Sequence, residues 1–152
     1  MSFKIKYNLF FLILIVANLF FYRCLLADQG KDVIAERVKN MQKSDQSMAL
    51  IKRSITSSDY KEVVENARFI RDWAARMKMY FPLGSGASIY NSSAASDYIW
   101  DDIKSFNSYV KSNMDNANSM MVAAQNNDKQ KLIVAFDDTS KSCINCHDKF
   151  RN

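Results

Sequence analysis

The sequence predicts an all-α protein, a single domain built as an antiparallel four-helix bundle. Three observations point there. With 48% hydrophobic residues but only three Gly and one Pro in 152 residues, the chain has long regular elements and few turns. Apolar residues recur at helical spacing in four separate stretches. Two tight turns and one longer crossing join those stretches, which suits an antiparallel bundle. Nothing alternates with period two over a useful length, so no strand is expected.

The first helix runs from Asp32 to about Ser54. Ile34, Met41, Met48 and Ile55 recur every seven residues, and Val38 and Ile51 fill the same stripe. Asp45 interrupts that stripe where another apolar residue is expected. Thr56-Ser57-Ser58 breaks the helix, and Asp59 followed by Glu62 forms a capping box for the second. That helix reaches about Tyr80, with Tyr60, Val63, Ala67, Ile70, Ala74, Met77 and Phe81 on one side. Phe81 to Ala95 holds Pro82, Gly84, Gly86 and several Ser, and reads as an irregular crossing loop. Ser96 is expected to cap the third helix, whose inward stripe is Ile99, Ile103, Phe106, Val110, Ala117, Met121 and Ala124. After the turn Asn126-Asn127-Asp128, the fourth helix carries Leu132, Phe136, Thr139, Cys143, Cys146 and Phe150 at steps of four and three.

Residues 1–27 read as an export signal and residues 28–152 as the folded domain. Lys4 and Lys6 make a positive start, and Leu9 to Phe21 an apolar core broken only by Asn18. The 16 residues between Lys6 and Arg23 fall short of the ~20 a membrane helix needs. Leu25-Leu26-Ala27 offers a cleavage point after Ala27; retention as an uncleaved anchor is the alternative. Cleavage removes Cys24 and leaves two cysteines. The net charge of +5 is concentrated in this segment, leaving 18 basic and 16 acidic residues beyond it. No basic run interleaved with aromatics is present, so nucleic-acid binding is not expected.

The chemistry lies near the end of the chain, in Cys143-Ile144-Asn145-Cys146-His147. On a helix at about 100° per residue, Cys146 sits roughly 60° and His147 roughly 40° from Cys143. All three leave one face. The C-x-x-C-H order is the attachment pattern of a c-type haem: the thiols add to the two porphyrin vinyl groups and the next residue lies under the iron. His147 is the only histidine in the chain, so no other imidazole competes. A structural zinc site needs a further pair of ligands that is missing, and a thioredoxin-like pair needs a βαβ pattern. An ordinary disulfide leaves His147 without a role. Because both cysteines fall on the apolar stripe of their helix, one haem c would lie inside the bundle, held near the C-terminal helix.

With these residues in place, the sequence resembles the cytochrome c prime family over essentially all of 32–151. The resemblance rests on Arg37-Val38-Lys39-Asn40-Met41, Phe81-Pro82, Ile99-Trp100, Phe106, and above all Cys143 to Arg151. It implies a bundle with haem near one end and His147 as proximal ligand. In low-spin members a methionine matching Met41 is the sixth ligand; in high-spin members that place holds an apolar residue, in some cases also Met. Met48 is a second candidate, but it lies about 10 Å from Met41 along the axis, so both cannot serve one iron. The resemblance also implies Arg37 near the haem propionates and Arg151 near the proximal ligand. Phe106 packs the core and is a candidate for touching the haem.

The leading expectation is a periplasmic electron carrier, not an enzyme, with iron ligated by His147 and Met41; Met/His ligation suits electron transfer. The alternative is a five-coordinate, high-spin protein that binds NO or CO. A third reading is a helical binding module with a structural metal or disulfide at its C-terminus. Expected partners are redox proteins and the haem-attachment machinery, with no membrane contact after signal cleavage. A homodimer through the first two helices is implied by the family, and Tyr60, Trp73 and Tyr80 are candidates for it or for core and rim.

Overall fold

A computed structural model describes residues 33–152, together with Ile15 and Val16. The signal segment and its cleavage point therefore lie outside the described residues. Helix α1 spans 33–57, and Ser58 turns the chain with a positive φ of 60°. Helix α2, Tyr60–Arg76, continues as a 3-10 turn over Met77–Tyr80. An irregular crossing leads to a short helix α3, Tyr98–Asp101, then α4, Ile103–Gln125, and α5, Lys129–Phe150. The four long helices form the bundle, with α3 as a one-turn addition at the mouth of the crossing. Among the described residues no β-ladder forms; a single antiparallel bridge joins Ala95 to Arg151. None of the described helices is long and apolar enough to cross a membrane.

The helix starts follow from side-chain caps. Asp59, Asp102 and Asp128 each accept a hydrogen bond from the backbone N–H three residues on, at Glu62, Ser105 and Lys131. The expected capping box at Asp59 forms only by half: Glu62 takes its bond from Ser54 Oγ at 2.5 Å instead of reaching back. This ties the end of α1 to the start of α2 across the turn. Ser96 does not cap a long third helix, which is a correction to the sequence reading. The chain kinks at Asp102 (φ −126°, ψ 55°), and Asp102 caps α4. That kink also turns Ile103, assigned to the inward stripe, out to 47% exposure.

The core has two parts. At the end where α1 meets α2 and α4 meets α5, Ile51, Ile55, Val63, Ala67, Met120, Ala124 and Leu132 pack tightly. At the other end Trp73, Met77, Ile99, Phe106, Val110 and Phe150 form a second cluster under the crossing loop. Phe106 sits at its centre, edge-on to Phe81 at 4.9 Å and to Phe150 at 5.7 Å. Trp73 is core and not a dimer surface: it is 1% exposed and packs on Tyr80 at 5.0 Å.

The C-terminus is fastened at the same end. Ser96 N–H donates to Phe150 O and Asn152 N–H to Ala94 O, both at 2.9 Å. Lys149 Nζ donates to Asp102 Oδ2 at 2.7 Å. The Lys149 and Ser105 hydrogen bonds hold the Asp102 carboxyl at a pKa of about 2. The folded value lies below the unfolded one of about 3.9, so the stabilisation is present above pH ~4 and is lost as pH falls toward 2. The expected result is a urea midpoint that drops over this window in wild type and less steeply in Asp102→Asn. At the tight end, Leu132→Ala is expected to destabilise by about 2–5 kcal/mol in urea denaturation, because Leu132 is fully buried.

Candidate haem site

Helix α5 presents Cys143, Cys146 and His147 to the gap between the helices, as the angular spacing predicts. Two adjoining lobes lie against this face. The outer one, of about 450 Å³, is bordered by Arg37, Met41, Phe81, Phe106, Cys146, His147 and Arg151. The inner one, of about 410 Å³, is bordered by Met41, Met48, Trp73, Asn113, Cys143, Cys146 and His147. Both volumes fall in the range of ligand-sized cavities. Cys146, His147, Met41, Asp45 and Met77 border both lobes. The predicted ligand pair, His147 and Met41, thus lines one continuous space, contributed by α5 and α1.

The chemistry of the donor set suits a clasped flat group rather than a caged ion. Cys143 and Cys146 are free thiols, not a disulfide. Burial pushes both thiol pKa values up, Cys146 to about 11. Burial, and then the charge of Arg151, lower the pKa of His147, which favours the neutral imidazole a haem iron binds. Among the described residues no three of His, Cys, Asp and Glu converge as ligands for a bare ion.

Arg37 has a role the sequence reading did not assign. It is 3% exposed, and its two terminal nitrogens donate to four acceptors in and beside the crossing loop. Nη1 bonds Tyr80 O at 2.8 Å and Ser85 Oγ at 2.9 Å. Nη2 bonds Ser85 O at 2.6 Å and Ser93 Oγ at 2.7 Å. The guanidinium also lies over Phe81, 4.4 Å from the ring centroid. Of its five N–H groups only Nε–H takes no part in these four bonds. Arg37 therefore pins the loop that roofs the lobe, one turn before Met41 on the same helix. Arg151 borders the outer lobe and is exposed, and Phe106 borders it while fully packed.

Several lining residues escaped the sequence reading. Asn113 is buried on α4 and donates to Ser142 Oγ at 3.0 Å and to Cys143 Sγ at 3.2 Å. Its signal was available: a polar residue at the inward position between Val110 and Ala117. Met77 was placed in the core stripe and proves to border both lobes. Asp45, noted only as a break in the stripe, faces the same space. Met48 borders the inner lobe alone.

The anchoring role of Arg37 is testable without the cofactor's spectrum. Lysine offers three donors from one point and cannot reproduce a planar four-acceptor pattern. Arg37→Lys is expected to leave buried loop acceptors unpaired, at about 1–3 kcal/mol each, and to speed amide exchange across residues 81–97. Loop amides protected as in wild type would show that something else holds the crossing.

A family model described as Cytochrome C' matches residues 32–151. None of the curated proteins compared matches the chain. Solved structures similar to this chain include cytochrome c' from Thermochromatium tepidum, 18% identical with a TM-score of 0.73, covering 80% of this chain and 95% of that one. Cytochrome c prime from Shewanella frigidimarina is 24% identical with a TM-score of 0.72, covering 81% and 96%. A nitric oxide complex of a mutant cytochrome c prime from Alcaligenes xylosoxidans is 23% identical with a TM-score of 0.70, covering 81% and 95%. These structures share the bundle. The family match, spanning nearly the whole described chain and its C-terminal motif, places this protein in the cytochrome c prime family, whose members carry one covalently attached haem c.

Proposed function

We propose that the protein is a periplasmic, non-enzymatic haem protein of the five-coordinate, high-spin type, which binds small neutral ligands such as NO or CO. Cys143 and Cys146 would hold the haem as thioethers, and His147 would be its one protein ligand. The haem would supply a redox-active iron able to take up a small molecule. The observation that carries the reading is the lining of the inner lobe. Ile70, Trp73, Val110 and Phe136 give it an apolar wall, and the chain has no second histidine to close the iron. Family membership supports the same reading, and a similar structure is described as a nitric oxide complex. In this scheme Phe106 would pack against the haem, Arg151 would lower the proton affinity of His147, and Arg37 would keep the roof in place.

The leading expectation from the sequence, an electron carrier with Met41 as sixth ligand, is the second reading. One observation favours it: Met41 borders both lobes beside His147. Its thioether would raise the reduction potential and exclude exogenous ligands. Redox proteins and the haem-attachment machinery are proposed partners under either reading. A homodimer is also proposed; one similar structure is described as showing ligand-controlled dimer dissociation.

The absorption spectrum of the reduced protein separates the two. The five-coordinate reading expects a broad high-spin spectrum that shifts on adding CO, and a similar spectrum from Met41→Ala. A sharp α band undisturbed by CO, converted to high-spin by Met41→Ala, would establish the electron-carrier reading instead.

A further inference from the structure

Asn113 lies on the inward face of α4, between Val110 and Ala117, and is 7% exposed. A polar side chain buried there costs stability unless its groups are paired. Its amide nitrogen is committed to α5: Nδ2 donates to Ser142 Oγ at 3.0 Å and to Cys143 Sγ at 3.2 Å. Among the described residues Cys146 Sγ takes part in no hydrogen bond, so the two attachment cysteines are held unequally.

Ser142 sets the direction of the amide. Its hydroxyl hydrogen goes to Thr139 O at 2.7 Å, so toward Asn113 its oxygen can only accept. The amide therefore turns its N–H groups, and not its carbonyl oxygen, toward Ser142 and Cys143. A free thiol could be met by either end of the amide, because S–H donates and sulfur accepts. A thioether is more selective. When a thiol adds across a vinyl group, sulfur bonds to one carbon and the thiol hydrogen goes to the other. The sulfur left behind has lone pairs and no hydrogen, and only a donor can pair with it. The orientation that Ser142 imposes is the one an attached sulfur needs. Asn113 and Cys143 also border the same inner lobe, so they meet at the edge of the space that the haem would fill.

We propose that Asn113 is a haem-positioning residue, whose amide donates to the Cys143 sulfur in its thioether form and orients that attachment arm against α4. Ser142 keeps the amide in the donating orientation. The assignment rests on covalent attachment alone and is the same with or without Met41 on the iron.

The carbon–sulfur stretching bands in the resonance Raman spectrum of the reduced holoprotein test it. Cys143→Ala and Cys146→Ala each leave one thioether and so assign the bands. Asn113→Leu keeps the bulk of the side chain and loses both donors. It is expected to shift the Cys143 band and leave the Cys146 band in place. Asn116 provides the control: it too ties α4 to α5, through Asp138 O at 3.1 Å, but reaches no cysteine. Asn116→Ala is expected to lower stability without moving either band. A Cys143 band unmoved in Asn113→Leu overturns the assignment, as does a shift shared equally by both bands or reproduced by Asn116→Ala. A second measurement needs no substitution. In the reduced, CO-saturated protein the iron carries no unpaired electrons under either reading, so side-chain amide resonances can be followed. The Asn113 N–H groups are expected to exchange with solvent slower than those of exposed Asn126 by about tenfold or more. Exchange as fast as at Asn126 overturns the assignment.

Discussion

The structure depends on one geometric constraint on α5: its core-facing stripe and its cofactor-attaching face are the same face. Leu132 and Thr139 on that stripe are buried against the other helices, while Cys143 and Cys146, one and two turns further, are half-buried at the lobes. A helix that must present two thiols and an imidazole to a flat macrocycle cannot also close the core at that level. The bundle is accordingly tight at the α1–α2 and α4–α5 turn end and open at the end beneath the crossing loop. The cost of leaving the core open is met by the roof: Arg37, Phe81 and the C-terminal fastening through Phe150 and Asn152 hold the open end in shape.

That division explains why the open end is rich in polar ties while the tight end has few. Hydrophobic packing is non-directional and proportional to area, so it sets the tight end without special residues. The lobes need walls that stay apart, and directional bonds do this. Arg37 spans from α1 to the loop, Lys149 from α5 to the start of α4, and Asn113 from α4 to the attachment helix. Each crosses between elements that would otherwise collapse toward one another. The methionines at 41, 48 and 77 line the same space, where flexible, polarizable side chains fit an irregular wall.

Much of this was legible in the sequence. The four helices, the crossing loop and the common face of Cys143, Cys146 and His147 follow from local periodicity and spacing. What was not legible has a common cause: it depends on contacts distant in sequence. The guanidinium of Arg37 is committed to Tyr80, Ser85 and Ser93, more than forty residues on, which no local pattern announces. The kink at Asp102 splits a stripe that reads as continuous and turns Ile103 outward; Asp102 caps α4 and is also bound by Lys149 from the far end of the chain. Asp45 and Asn113 were visible as polar residues on apolar stripes, but only the lobes give those interruptions a meaning.

Under the proposed function His147 is the iron's one protein ligand. The electron paramagnetic resonance spectrum of the oxidised holoprotein decides this without any added ligand, because it reports spin state. The expected result is the axial signal of high-spin ferric haem. A rhombic low-spin signal that becomes axial only in Met41→Ala would contradict the claim and make Met41 the sixth ligand.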